Sequence, residues 1–171
     1  MKKIFIYCLT LFLFVGCKEE NDSRAEHKVE IYLLKSFTST VDQSTTPATV
    51  SITNAILDKT PLVTDQDIQF YTKATTTFTL RKEIQTTIQN YGQDKAFAVT
   101  VDNKPVYFGK FHPMYLSSMT IGVATISPPF PNQNELEINF IYIEGSSFLK
   151  KLDKRNDSQI VTALSATGRL R

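Results

Sequence analysis

The chain is poor in the residues on which many enzymes depend. It has two cysteines and two histidines in 171 residues, and both cysteines, Cys8 and Cys17, lie in the N-terminal stretch. The remainder can form no disulfide and offers no thiol nucleophile, so its core must hold by packing alone. Glycine is also scarce, with six positions. Neither a Gly-x-Ser-x-Gly elbow nor a phosphate-cradling glycine loop occurs, and no cofactor is expected. The longest apolar run, from Ile4 to Val15, falls short of the about 20 residues that a membrane-spanning helix needs.

That run has a different meaning. Lys2 and Lys3 precede it, and Gly16 and Cys17 end it, which is the layout of a secretory signal: a positive start, a short apolar stretch and a small residue before the cut. Gly16-Cys17 at this place resembles the lipobox of bacterial lipoproteins, although Phe14 stands where that family prefers leucine. In those proteins a peptidase cuts just before a cysteine that already carries diacylglycerol. The resemblance implies cleavage after residue 16 and a lipid on Cys17, with the membrane held through that lipid, since two or three acyl chains anchor firmly where one does not. Lys18, Glu19 and Glu20 follow directly. They resemble the export signal that carries lipoproteins of Bacteroidota to the outer leaflet of the outer membrane. The expected place is the cell surface, with the periplasmic face as the alternative.

The expected organisation is a signal peptide over 1–16, a lipidated tether over 17–27 and one domain over 28–171. The tether sequence "KEENDSRAEHK" has the polar composition of a solvated linker. Removing Lys2 and Lys3 with the signal leaves 17 basic and 17 acidic residues, a formally neutral chain. Neutrality removes the electrostatic case for nucleic-acid binding, and no nucleic acid is expected as a partner.

Within the domain, "HKVEIYLLKSF" alternates and reads as a strand, followed by the polar loop "STVDQSTTPAT" and a second strand, "TVSITNAIL". Thr64 and Asp67 form a capping-box pattern ahead of a short helix through "DQDIQFY", and Thr76, Phe78 and Leu80 alternate as a strand. Ile84 and Ile88 are spaced for a helix that Gly92 would close. "KAFAVTVDNKPVYFGKF" reads as a hairpin turning at Asp102 and Asn103. Further strands are expected in "SMTIGVATI" and "NELEINFIYI", on either side of the Pro-rich loop "SPPFPNQN". A last helix is expected from an Asn156 cap to a Gly168 stop, with Ile160, Val161 and Leu164 on one face. This order predicts an α+β fold, a single domain with a mostly antiparallel sheet and two or three helices on one side.

The span from "AILDKTPLVTDQDIQFY" through "FAVTVDNKPVYFGKFHPMYLSS" to "LDKRND" is similar to small, uncharacterised lipoproteins of Bacteroidota, a resemblance that implies no activity. The helix and "FAVTVDNKPVYFGKF" also look like the helix and hairpin in the periplasmic domain of the export component SecD.

Chemistry is sparse. His27 borders the tether and reads as solvated. Asp65 and Asp67 lack the glycine and the later glutamate of a calcium loop, and fit a helix N-terminus better. No metal ligands are expected. The basic group Lys150, Lys151, Lys154 and Arg155 reads as a solvated loop. The candidate binding loop is "HPMYLSS", with His112, Met114, Tyr115, Ser117 and Ser118. Tyr115 brings a large amphipathic ring and Met114 an adaptable side chain, which suit an unknown protein or small-molecule ligand. These features favour a non-enzymatic binding or accessory module and single out no catalytic residue. The alternatives are an enzyme with a dispersed site around His112 and a structural or assembly subunit.

Overall fold

The computed structural model describes residues 27–171. The expected signal peptide over 1–16, Cys17 and the Lys18–Glu20 segment lie outside the described residues. The fold is α+β in a single domain, as expected, but its eight strands form two mostly antiparallel sheets instead of one.

The first sheet has the order β2-β1-β5-β6-β7, with β1 Val29–Asp42, β2 Thr49–Leu57, β5 Ala96–Val101, β6 Lys104–Phe111 and β7 Ala124–Ile126. Only β6 and β7 run parallel. The strand β1 is long because it serves two partners. Its first half pairs β5, from Val29 opposite Val101 to Leu33 opposite Phe97. Its second half pairs β2 out to Asp42 opposite Thr49. Register shifts around Ser36 separate the halves, and such bulges bend a strand. The polar residues read as a loop from Ser39 thus belong partly to strand. At the far end of the hairpin, Val50 N–H donates to the Ile121 carbonyl at 2.7 Å, so the hairpin tip reaches the chain that leads into the opposite edge strand, β7. Gly122 makes this approach possible: at φ +87° its missing Cβ would stand 2.7 Å from Thr49 Cβ.

All six residues of β5 are buried, as expected of a strand covered on both faces. Phe97, Val99 and Val101 join the main core, while Ala96 and Ala98 pack with Leu34 against Phe37, Ile52 and Phe108. Asp102 and Asn103 turn the β5–β6 hairpin with φ of 52° and 62°, the paired positive angles of a tight hairpin turn, which Asn and Asp tolerate.

The second sheet has the order β3-β4-β8: Ile68–Thr72, Thr77–Leu80 and Glu135–Glu137. Thr64 and Asp67 do form a capping box, but it caps a single 3-10 turn, Asp65–Asp67, and the chain then continues as β3. The β-forming run Ile-Gln-Phe-Tyr-Thr wins over the helix start. Arg169 and Arg171 of the C-terminal segment pair with Tyr71 of β3 through backbone hydrogen bonds of 2.8 Å each. Bonds between Thr125 and Asn139 of 2.8 and 2.7 Å join β7 to the segment after β8.

Helices are short: α1 Gln85–Ile88, α2 Ser147–Leu152 and α3 Ser158–Ala166. Ile84 and Ile88 are buried as their spacing implies, but the helix is one turn and Gly92 does not close it. The cap of α3 is Asp157, whose carboxylate accepts from Gln159 N–H at 3.1 Å, not Asn156. Ile160 and Leu164 are fully buried, and Gly168 ends the segment at φ +69°.

Candidate binding site

The loop from His112 to Thr120 leaves β6 and enters β7, and its ends are fixed. His112 N–H donates to the Ile126 carbonyl at 2.8 Å, Pro113 is buried, and Thr120 is buried. Between these anchors the side chains point outward. Met114, Tyr115 and Met119 are 68%, 81% and 69% exposed. Ser117 and Ser118 are exposed as well. Beside Met114 lies a hollow of about 550 Å³, lined also by Ser127, Pro129, Phe130, Pro131, Glu137 and Asn139. Phe130 is held in place because its N–H donates to the Gln85 side-chain oxygen at 2.8 Å. The loop at 112–120 and the Pro-rich loop after β7 thus form one face. Three large exposed side chains in one loop make it a candidate contact surface.

His112 joins this face with neutral partners. Its Nδ1 accepts from Gln93 Nε2 at 3.2 Å and from Thr120 Oγ1 at 3.1 Å, and Gln93 also donates to Ser118 Oγ at 3.4 Å. Neither partner is a carboxylate. A general base oriented by a carboxylate needs Nδ1–H donating to an acid. The ring ties the loop to Gln93 and Thr120.

The described histidine that does meet a carboxylate is His27. Its Nδ1 lies 2.6 Å from Asp102 Oδ2, and Lys28 N–H donates to Asp102 Oδ1 at 3.0 Å. These bonds, the His27 contact foremost, hold the Asp102 carboxyl below its ordinary pKa. His27 is therefore engaged, not merely solvated, and it pins the start of the domain to the β5–β6 turn.

Arg155 departs furthest from the expected solvated loop. Its guanidinium makes a two-pronged pair with Asp153, Nε to Oδ1 at 2.9 Å and Nη2 to Oδ2 at 2.8 Å, and both side chains are about nine-tenths hidden. Nη1 donates to Thr76 Oγ1 at 2.9 Å and to the Ile138 carbonyl at 2.8 Å. Tyr142 donates to Asp153, and the rings of Phe140 and Tyr142 lie 5.8 and 5.9 Å from the guanidinium carbon. Tyr71 OH donates to the Arg155 carbonyl at 2.9 Å and to Asn156 Oδ1 at 3.1 Å. Burial opposes the charge on Asp153, yet hydrogen bonds from Arg155 and Tyr142 outweigh it and hold the carboxyl below its usual value. Such a satisfied network joins the β3–β4 turn, the segment after β8 and the α2–α3 connection. The sequence gives it one signal: the Asp153-x-Arg155 spacing.

Asp65 and Asp67 are likewise structural. Asp65 accepts from Val29 N–H at 2.8 Å and pairs with Arg169 at 2.8 Å, and Asp67 pairs with Lys82 at 2.8 Å. Among the described residues no three His, Asp or Glu side chains gather as metal ligands, and no helix is long and apolar enough to cross a membrane.

Met119 and the Pro129–Pro131 segment are the parts of the face that sequence reasoning did not assign. The Pro-rich composition was visible, but its approach to Met114 depends on the β7 pairing. No family model, no curated protein and no solved structure matches the chain.

Proposed function

We propose that the protein is an envelope lipoprotein, held by lipid on Cys17 and displayed at the cell surface by Lys18, Glu19 and Glu20, that binds a protein partner without catalysing a reaction. The lipid anchor rests on the Gly16-Cys17 pattern behind a short apolar run. The binding role rests on one observation: Met114, Tyr115 and Met119 stand exposed in one loop, and Met114 lines a hollow with Pro129 and Pro131. Tyrosine and methionine give such a surface large contact area with adaptable fit. The neutral surroundings of His112 argue against the enzyme alternative.

A photo-crosslinking amino acid placed at Tyr115 tests the binding role in the producing cells. A discrete adduct of higher mass should form there and not from the same group at exposed Lys73. Absence of an adduct at Tyr115, or equal adducts at both, would remove the proposal. Labelled palmitate tests the anchor: the mature protein should carry label, and Cys17→Ala should not.

A further inference from the structure

A second hollow, of about 540 Å³, lies under the β1–β2 hairpin and shares no residue with the one beside Met114. Its volume falls in the roughly 300–1,000 Å³ range of small-molecule sites. It exists because the Val50–Ile121 hydrogen bond and the close Gly122–Thr49 contact tie the hairpin tip across to the β7 side. Below that tie the walls are apolar: Ile52, Phe108, Val123, Phe140, Phe148 and Leu152. Leu152 is 44% exposed, an apolar side chain left open at the rim.

Cations outnumber acids in the lining of this hollow, two to one. Lys151 and Lys154 line it, are exposed, and take part in no ion pair among the described residues. The one acid in the lining, Asp42, is engaged with Ser44, through the hydroxyl at 2.6 Å and the backbone N–H at 2.9 Å. A polar anion alone would make no use of the half-buried Phe108 and Phe148 in the wall. A neutral oil would leave the two cations without a counter-charge. A single aliphatic chain with its head matches a hollow of about 540 Å³.

We infer that this groove binds a free fatty-acid-type amphiphile, with its single aliphatic chain against Phe108, Phe140 and Phe148 and its carboxylate paired by Lys151 and Lys154. Binding here is separate from partner binding at the Tyr115 face, and either can fail without the other.

The test uses the full-length protein purified from its producing cells and a palmitate analogue bearing a diazirine in the chain. After irradiation, adducts are mapped by peptide mass spectrometry. They should fall on peptides carrying Ile52, Phe108 or Phe148. The double substitution Lys151→Ala with Lys154→Ala should cut labelling by about five-fold, as expected for two exposed ion pairs, with an unchanged melting temperature. The same change at Lys73 and Lys95 should leave labelling intact, and the methyl ester should label poorly. Adducts confined to other peptides, equal labelling by acid and ester, or equal loss from both lysine pairs would overturn the assignment.

Discussion

Arg155 and His112 sit in opposite kinds of surroundings. The charged group is hidden, with five hydrogen bonds from its own N–H groups ending on Asp153, Thr76, Ile138 and Tyr142. The titratable ring that sequence reasoning favours for chemistry is tied to two neutral side chains, in a loop whose largest residues face water. The contrast teaches where function is to be sought. Polar groups that already satisfy one another inside a fold have nothing left to offer a ligand, whereas exposed Met114, Tyr115 and Met119 have surface to give. On the proposed function, stability and binding belong to different residues, and substitution can separate them.

The largest effect is expected from Leu164→Asp. The position is fully buried against the main core, and an unpaired charge there has no partner. Circular dichroism should show loss of the cooperative thermal transition. Arg155→Ala comes next, since it leaves the Asp153 carboxylate hidden without its cation. Breaking a buried pair in this way costs about 3–5 kcal/mol, and denaturant unfolding should show a lowered midpoint.

Acid provides a graded version of the same test. Asp153 has a lowered pKa in the folded state, so its contribution is complete above the unfolded carboxylate value of about 3.9 and is lost as pH falls through the lower folded value. Asp67 shifts the same way, with burial opposed and outweighed by bonds from Lys82 and Thr64. Stability should be flat near neutrality and fall below about pH 4, and Asp153→Asn should flatten that fall.

A smaller change of opposite sign is expected at Tyr107. Its hydroxyl is buried and without a partner among the described residues, and burial pushes the phenol well above its ordinary pKa. An unpaired buried hydroxyl costs about 1–3 kcal/mol, so Tyr107→Phe should raise the melting temperature. Smallest of all, Tyr115→Ala and Met119→Ala should move stability by no more than about 0.5 kcal/mol, as surface substitutions do.

Much of the fold was legible because it follows from short-range pattern. The β5–β6 turn at Asp102-Asn103, the strand Thr49–Leu57, the Thr64–Asp67 capping box and the buried face of α3 are all decided by neighbours within a few residues. What escaped depends on distant partners. Ser39–Asp42 look like loop until β2 pairs with them, and Ile68–Thr72 look like helix until β4 does. "SMTIGVATI" and "NELEINFIYI" alternate over longer stretches than the three residues of strand in each, because continuous ladders form only there and the flanking residues make single bonds. The site was read in the same measure. Met114 and Tyr115 were recognisable from residue type, while Arg155 was misread, since only the approach of Thr76 and Ile138 turns a basic loop into a buried network.

The claim that the open face binds and does not catalyse is tested most directly by one crosslinking measurement. A photo-crosslinking amino acid at Met119 is combined, in the producing cells, with either Tyr115→Ala or His112→Gln. Adduct yield should collapse with Tyr115→Ala and persist with His112→Gln, both proteins melting as the parent does. Persistence with Tyr115→Ala and loss with His112→Gln would contradict the account and move the function to the histidine.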